Sequence, residues 1–157
     1  MWRYLNPLLI VVSLLTIGCS NSEKVISKET ESIIFKNHSY EEVDHLMIEW
    51  KNMFLQEKEQ YYVYVFSKTC GHCREIKNQV IDYALSEKET IFFIEYNNEI
   101  LIIDDRDILI GVHKIDKCGI LGVPSLFEIK EQKVSNYYLG EIEVIEILQN
   151  CFSLIEN

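Results

Sequence analysis

Tyr61-Tyr62-Val63-Tyr64-Val65-Phe66 runs through Ser67-Lys68-Thr69 into Cys70-Gly71-His72-Cys73. The first six residues are aromatic and β-branched, the composition of a strand. They lack polar alternation, so the strand is expected to be covered on both faces. After Cys70 the period changes: Cys73, Ile76, Val80 and Ala84 recur at helical steps up to about Ser86. Cys70 therefore falls at a helix N-terminus, where unpaired backbone N–H groups and the helix dipole stabilise a thiolate. Two cysteines at this spacing support thiol–disulfide exchange. One sulfur attacks a partner's disulfide, and the other attacks the mixed disulfide and releases the product. The same spacing serves zinc sites, and Cys70, Cys73, His113 and Cys118 can be written as a Cys₃His set, so the motif alone leaves both chemistries open.

Downstream, Ile91-Phe92-Phe93-Ile94 reads as a second buried strand. The acidic run Asp104-Asp105-Arg106-Asp107 reads as a solvated loop and helix start. Ile108, Val112 and Ile115 predict a short helix ending at Gly119 in a left-handed cap. Ser125–Ile129 and Val134–Leu139 flank Lys130-Glu131-Gln132-Lys133 as an antiparallel hairpin. Gly140 breaks that pattern, and Val144, Leu148, Cys151 and Ile155 align on a final helix. Upstream, Ser39-Tyr40-Glu41-Glu42 has the spacing of a capping box. Val43, Leu46, Met47, Trp50, Met53 and Phe54 give a helix from Tyr40 to about Gln60 one apolar face. Ile33-Ile34-Phe35 reads as a short first strand. The order β-α-β-α-β-α-β-β-α joins a parallel βαβ portion to a hairpin: an α/β fold with a mixed sheet and helices on both faces.

The chain has 157 residues and a formal net charge of -10. That length holds one domain with a real core, and that charge argues against a nucleic-acid-binding surface. Residues 1–18 stand apart. Arg3 precedes an almost unbroken apolar run from Pro7 to Ile17, short for a bilayer span but suited to a signal-peptide core. Leu15-Thr16-Ile17-Gly18-Cys19 resembles a bacterial lipoprotein lipobox, with Thr16 where an aliphatic residue is usual. The resemblance implies cleavage before Cys19 and acylation of its sulfur. An ordinary secretory signal and an uncleaved anchor are the other readings, and all three place the domain outside the cytoplasmic membrane. Residues 19–31 then form the lipidated N-terminus and a polar tether, and 32–157 the domain. Such a compartment permits disulfides and favours a redox role for the cysteine pair.

The strand–CGHC–helix unit, the segment Gly119-Ile120-Leu121-Gly122-Val123-Pro124-Ser125 and the closing hairpin and helix together resemble the thioredoxin superfamily over essentially the whole mature domain. The resemblance implies a three-layer sandwich with a central mixed β-sheet flanked by helices. It implies that Pro124 is cis beside the redox pair, and that the backbone at Val123 pairs with a substrate segment as an added strand. Cys70 becomes the exposed nucleophile, Cys73 the resolving thiol, and His72 a polar neighbour that stabilises the Cys70 thiolate. The tetrapeptide is that of eukaryotic protein disulfide isomerases, whose potential is near -180 mV against about -270 mV for thioredoxin. Lys68 and Arg74 flank the motif as added positive potential or as solvated charges.

Two departures stand out. Members of the superfamily often carry a buried Asp or Glu six residues before the first cysteine; Tyr64 stands there and reads as core packing, leaving another group, water or His72 to manage the proton. Thr69 replaces the usual Trp. Asn97–Lys117 looks longer than the matching piece of a minimal thioredoxin. Cys151 reads as a core cysteine, with a Cys118–Cys151 bridge as the other arrangement, and His38 and His45 read as surface or capping residues. The expected activity is that of a membrane-tethered thiol–disulfide oxidoreductase. It needs no cofactor beyond the Cys70–Cys73 disulfide and no metal, and it acts on cysteine-containing extracytoplasmic proteins with a membrane redox partner. A non-catalytic, client-binding lipoprotein of the same fold is the alternative.

Overall fold

The structure is a computed structural model that describes residues 36–153. The expected leader, Cys19, the tether, the strand at Ile33–Phe35 and Ile155 lie outside the described residues. Strand β1 spans Gln60–Phe66, and every residue of it after Gln60 is buried. It runs parallel to β2 (Ile91–Glu95) on one side and antiparallel to β3 (Ser125–Lys130) on the other. β3 continues into β4 (Lys133–Leu139), giving a four-stranded mixed sheet in the order β2-β1-β3-β4. The hairpin turns on Glu131 and Gln132 alone, both at positive φ (51° and 58°), the left-handed pair that a two-residue turn between twisted strands requires.

Side-chain alternation along β1 sorts the interior into two clusters. Tyr62, Tyr64 and Phe66 face the cluster that contains Cys73, Ile76, Val80 and Ala84 of helix α1 (Gly71–Leu85) and Val144 and Leu148 of helix α2 (Gly140–Ser153). Tyr61, Val63 and Val65 face the other cluster, with Met53, Phe54, Leu109, Cys118 and Ile120. The apolar stripes read from the sequence of α1 and α2 are the buried ones. The architecture is the thioredoxin-like α/β fold, a mixed sheet flanked by helices.

The two layers are unequal, which corrects the expected pattern. Both α-helices of the described residues pack on the Cys73 face. The opposite face is covered by single 3-10 turns, Trp50–Asn52, Asp107–Leu109 and Ile115–Lys117. The predicted helix from Tyr40 to Gln60 is instead a 3-10 stretch, Tyr40–Leu46, interrupted at Val43 (φ -117°, ψ 19°). Met47 is extended and bridges Phe93, and Ile48 N–H donates to the Phe93 carbonyl at 2.9 Å. Pairing with the open edge of β2 outweighs the helical period, because an unpaired strand edge is costly to leave uncovered.

The predicted third helix is likewise reduced to turns. Only Asp107–Leu109 and Ile115–Lys117 are helical, with extended backbone at Ile110, Lys114 and Cys118 (ψ 125°, 130° and 144°), and beyond them Ile120 N–H bonds the Leu101 carbonyl while Ile103 N–H bonds the Ile120 carbonyl, each at 2.9 Å. Gly119 is not a left-handed cap. It is buried where a Cβ would lie 2.7 Å from the Leu101 carbonyl oxygen and 2.8 Å from Ile103 Cγ2. Close approach of backbone explains this glycine. His38 is also corrected: it is 4% exposed, with Nδ1 3.0 Å from Glu42 and Nε2 2.6 Å from Asp82 of α1. His38 N–H donates to Asn78 Oδ1 at 3.0 Å, so this residue fastens the Tyr40–Leu46 stretch to α1.

Two outcomes follow. Gly119→Ala should destabilise the fold by about 1–3 kcal/mol through overpacking, read as a lower urea midpoint at unchanged slope. Hydrogen bonds from Ser39 N–H, His38 and Lys36 hold the Glu42 carboxyl down from 4.5 to about 2. Its stabilising contribution is therefore complete above pH 4.5 and lost as pH falls toward 2. Glu42→Gln should flatten the stability–pH curve in that window.

Candidate active site

Cys70 caps α1 with non-helical backbone (φ -75°, ψ 128°), which frees its side chain from the helix it begins. The Cys73 N–H points at Cys70 Sγ, 3.4 Å away, and with the helix dipole favours negative charge on that sulfur. On the other side, Cys70 Sγ–H donates to the Val123 carbonyl at 3.5 Å. The Val123–Pro124 peptide bond is cis, as the resemblance implied. Cys70 is half-buried and Cys73 fully buried; both are free thiols. Burial in the aromatic and aliphatic cluster pushes the Cys73 thiol up from 9.0 to about 12. The pair thus consists of one reachable sulfur and one concealed sulfur a turn behind it.

His72 is exposed and turns toward α2. Its Nδ1 lies 3.1 Å from Glu141 Oε2 and 3.8 Å from Glu75 Oε2. Glu75 is pushed up by its hydrogen bond to Glu141, and Glu141 is held down by hydrogen bonds from Glu75 and His72. The ligand-type atoms of these three residues lie within 4.8 Å of one another. They are solvent-facing and engage each other. Lys68 bridges Glu95 at 2.9 Å rather than standing free.

The proline loop is held by residues that the sequence did not mark. Tyr137 on β4 is 3% exposed, and its hydroxyl accepts from Leu121 N–H at 2.9 Å and meets Ser125 Oγ at 2.7 Å. Ser125 Oγ also donates to the Gly122 carbonyl, and Gly140 N–H donates to the Pro124 carbonyl at 2.9 Å. Arg106, from the long Asn97–Lys117 segment, lies over the Tyr137 ring and donates to Glu143 at 3.1 Å. Beside this loop lies a groove of about 530 Å³ lined by His72, Gly122, Val123, Pro124 and Gly140, with Leu139 and Ile142 as its apolar side. Nothing but the alternation of β4 pointed to Tyr137, and its hydroxyl's role depends on Ser125, two residues along β3 from its cross-strand partner Phe127, which only the fold brings near.

The structure brings Cys70, His72, Cys73, Val123 and Pro124 together. It separates the alternative metal set: Cys118 lies in the cluster on the opposite face of the sheet, and His113 is exposed on the far loop. Cys118 and Cys151 are likewise on opposite faces and both free, which excludes a bridge between them here. Cys151 meets the Tyr62 hydroxyl at 3.1 Å, and burial pushes the Cys118 thiol up to about 12.

A mixed sheet in this order, with a dithiol at the start of α1 and Pro124 facing it, is a thioredoxin-like fold that carries a Cys-X-X-Cys dithiol. No protein-family model and no curated protein matches the chain. Among solved structures, thioredoxin f2 of Chlamydomonas reinhardtii is similar at 9% identity and TM-score 0.44, over 66% of this chain and 93% of that one. The long form of thioredoxin F from spinach chloroplast is similar at 18% identity and TM-score 0.47, over 68% and 84%. Thioredoxin from Aeropyrum pernix is similar at 18% identity and TM-score 0.42, over 74% and 84%.

Brief alkylation of the reduced protein at neutral pH should label Cys70 and spare Cys73 and Cys118, as read by peptide mass spectrometry. Equal labelling of Cys70 and Cys73 would contradict this geometry.

Proposed function

We propose that the protein is a thiol–disulfide oxidoreductase that exchanges its Cys70–Cys73 dithiol with cysteine-containing proteins outside the cytoplasmic membrane. One observation carries the reading: Cys70 Sγ sits at the cap of α1, 3.5 Å from the Val123 carbonyl, with Cys73 concealed behind it. A client segment laid along Val123 as an added strand brings its own sulfur to Cys70. In the reducing direction, Cys70 thiolate attacks a client disulfide sulfur, and one client thiolate leaves. Cys73 then attacks the Cys70 sulfur, forming the internal disulfide and releasing the second client thiol. Two electrons pass to the client. Run backward, the same steps oxidise it.

His72, between the two cysteines in sequence, supports the oxidising or isomerising direction by the tetrapeptide it completes, while its Nδ1 is taken by Glu141 at 3.1 Å. The N-terminal run ending at Gly18-Cys19 supports a lipid anchor in a bacterial membrane, with a membrane redox partner resetting the dithiol. Among the described residues no helix is long and apolar enough to cross a membrane. The groove beside Pro124, with apolar Leu139 and Ile142, accommodates a client side chain next to its cysteine.

Cys73→Ala should accumulate mixed disulfides through Cys70, and Cys70→Ser should abolish turnover. A Cys70→Ser protein that keeps full activity in its client's maturation would instead support the client-binding alternative. The Cys70/Cys73 potential should lie above about -270 mV, nearer -180 mV; a value at or below the lower figure would reverse the direction assigned here.

A further inference from the structure

The loop that faces Cys70 is tied by a chain of hydroxyls that begins and ends on the loop itself. Leu121 N–H donates to the Tyr137 hydroxyl oxygen at 2.9 Å. That oxygen lies 2.7 Å from Ser125 Oγ, and Ser125 Oγ donates to the Gly122 carbonyl. Because the Ser125 proton goes to Gly122, the Tyr137 proton goes to Ser125, and every donor in the chain has its acceptor. Buried bonds aligned head to tail reinforce one another, and both side chains are buried. The Tyr137 ring is fixed as well. Phe127 meets it edge-on with centroids 4.7 Å apart, and the Arg106 guanidinium lies 5.9 Å from its centroid. Phenylalanine would pack against Phe127 in the same way, so the hydroxyl is what this residue adds.

The tied groups leave one residue of the loop open. Leu121 N–H and the Gly122 carbonyl are taken by the hydroxyls, and the Pro124 carbonyl by Gly140 N–H at 2.9 Å. Val123 lies between them. Its carbonyl accepts from the Cys70 thiol at 3.5 Å, a weak donor. Its N–H has no hydrogen-bond partner among the described residues. Val123 also lines the groove beside Pro124, where an unpaired backbone group can meet the backbone of a partner.

We infer, on the exchange and strand addition proposed above, that Tyr137 is a positioning residue for client docking: through Leu121, Ser125 and Gly122 its hydroxyl fixes the loop so that Val123 offers its N–H and carbonyl to the client strand. Tyr137 packs in the hydrophobic cluster across the sheet from Cys73. It therefore passes no proton or electron in the exchange and acts on binding, since a loop already ordered costs less to dock against. Without the hydroxyl, the Leu121 N–H loses its acceptor, and Val123 is no longer held in register with Cys70.

The test compares wild type, Tyr137→Phe and Ser125→Ala, each as the full chain, in two reactions. One is the dithiothreitol-driven reduction of insulin, a disulfide-bonded polypeptide. The other is the first release of thionitrobenzoate from 5,5′-dithiobis(2-nitrobenzoate), a reagent too small to pair as a strand. Tyr137→Phe should raise KM for insulin about tenfold, the scale of one buried hydrogen bond left unmade, with kcat held within about twofold. The rate with the small reagent should stay at its wild-type value, a split that a general loss of structure would not produce. Ser125→Ala should raise KM in the same sense, which keeps the test available if Tyr137→Phe folds poorly. The double variant should add little to either single one, because the same chain is already broken. An unchanged KM in both single variants, or an equal loss in both reactions, would overturn the inference. So would a wild type that reacts with the small reagent and leaves insulin untouched. A wild type inert toward both would instead overturn the exchange function.

Discussion

Everything at this site depends on β1 being paired on both edges and buried on both faces. Strands β2 and β3 take its hydrogen-bonding groups, and the two hydrophobic clusters take its side chains. Such a strand has no freedom to shift register, since a slip of one residue would exchange the two clusters. Its end at Phe66 is therefore fixed in space, and the short turn Ser67-Lys68-Thr69 delivers Cys70 to one place. β3 begins on the neighbouring strand directly after Pro124, with Ser125 opposite Val65. The dithiol and the proline loop thus face each other because two adjacent strands end at the same rim of the sheet.

Much of this was legible in the sequence. Unbroken aromatic and β-branched composition marked β1, helical spacing of Cys73, Ile76, Val80 and Ala84 marked α1, and the hairpin was readable from its polar interruption. The segments misread as helices share a cause. Met47 satisfies a helical stripe, but the uncovered edge of β2 claims its backbone and that of Ile48. Ile120, just past the predicted third helix, pairs with Leu101 and Ile103, a contact between residues distant in the chain. Periodicity reports which side chains are buried and is silent on which backbone groups find partners elsewhere.

The site divides in the same way. Cys70, His72, Cys73 and Pro124 belong to short local patterns. Tyr137, Arg106 and Glu141 act through partners contributed by other elements, and so carry no signal in the linear chain. Tyr64 is intermediate. Its position six residues before Cys70 is conspicuous in the sequence, but only the fold shows its hydroxyl poorly paired alongside that of Tyr40. A hydroxyl's worth lies in what surrounds it, and composition alone does not report that.

The unequal covering of the sheet has a kinetic meaning. Local opening proceeds from regions with little buried contact, while packed helices open only with the whole molecule. The face covered by single 3-10 turns lacks the long hydrogen-bond ladders of α1 and α2, and Cys118 is stored on that face. The dithiol is mounted on the face clamped by α1 and α2. Cys118, 2% exposed, therefore meets an oxidant only when that side opens.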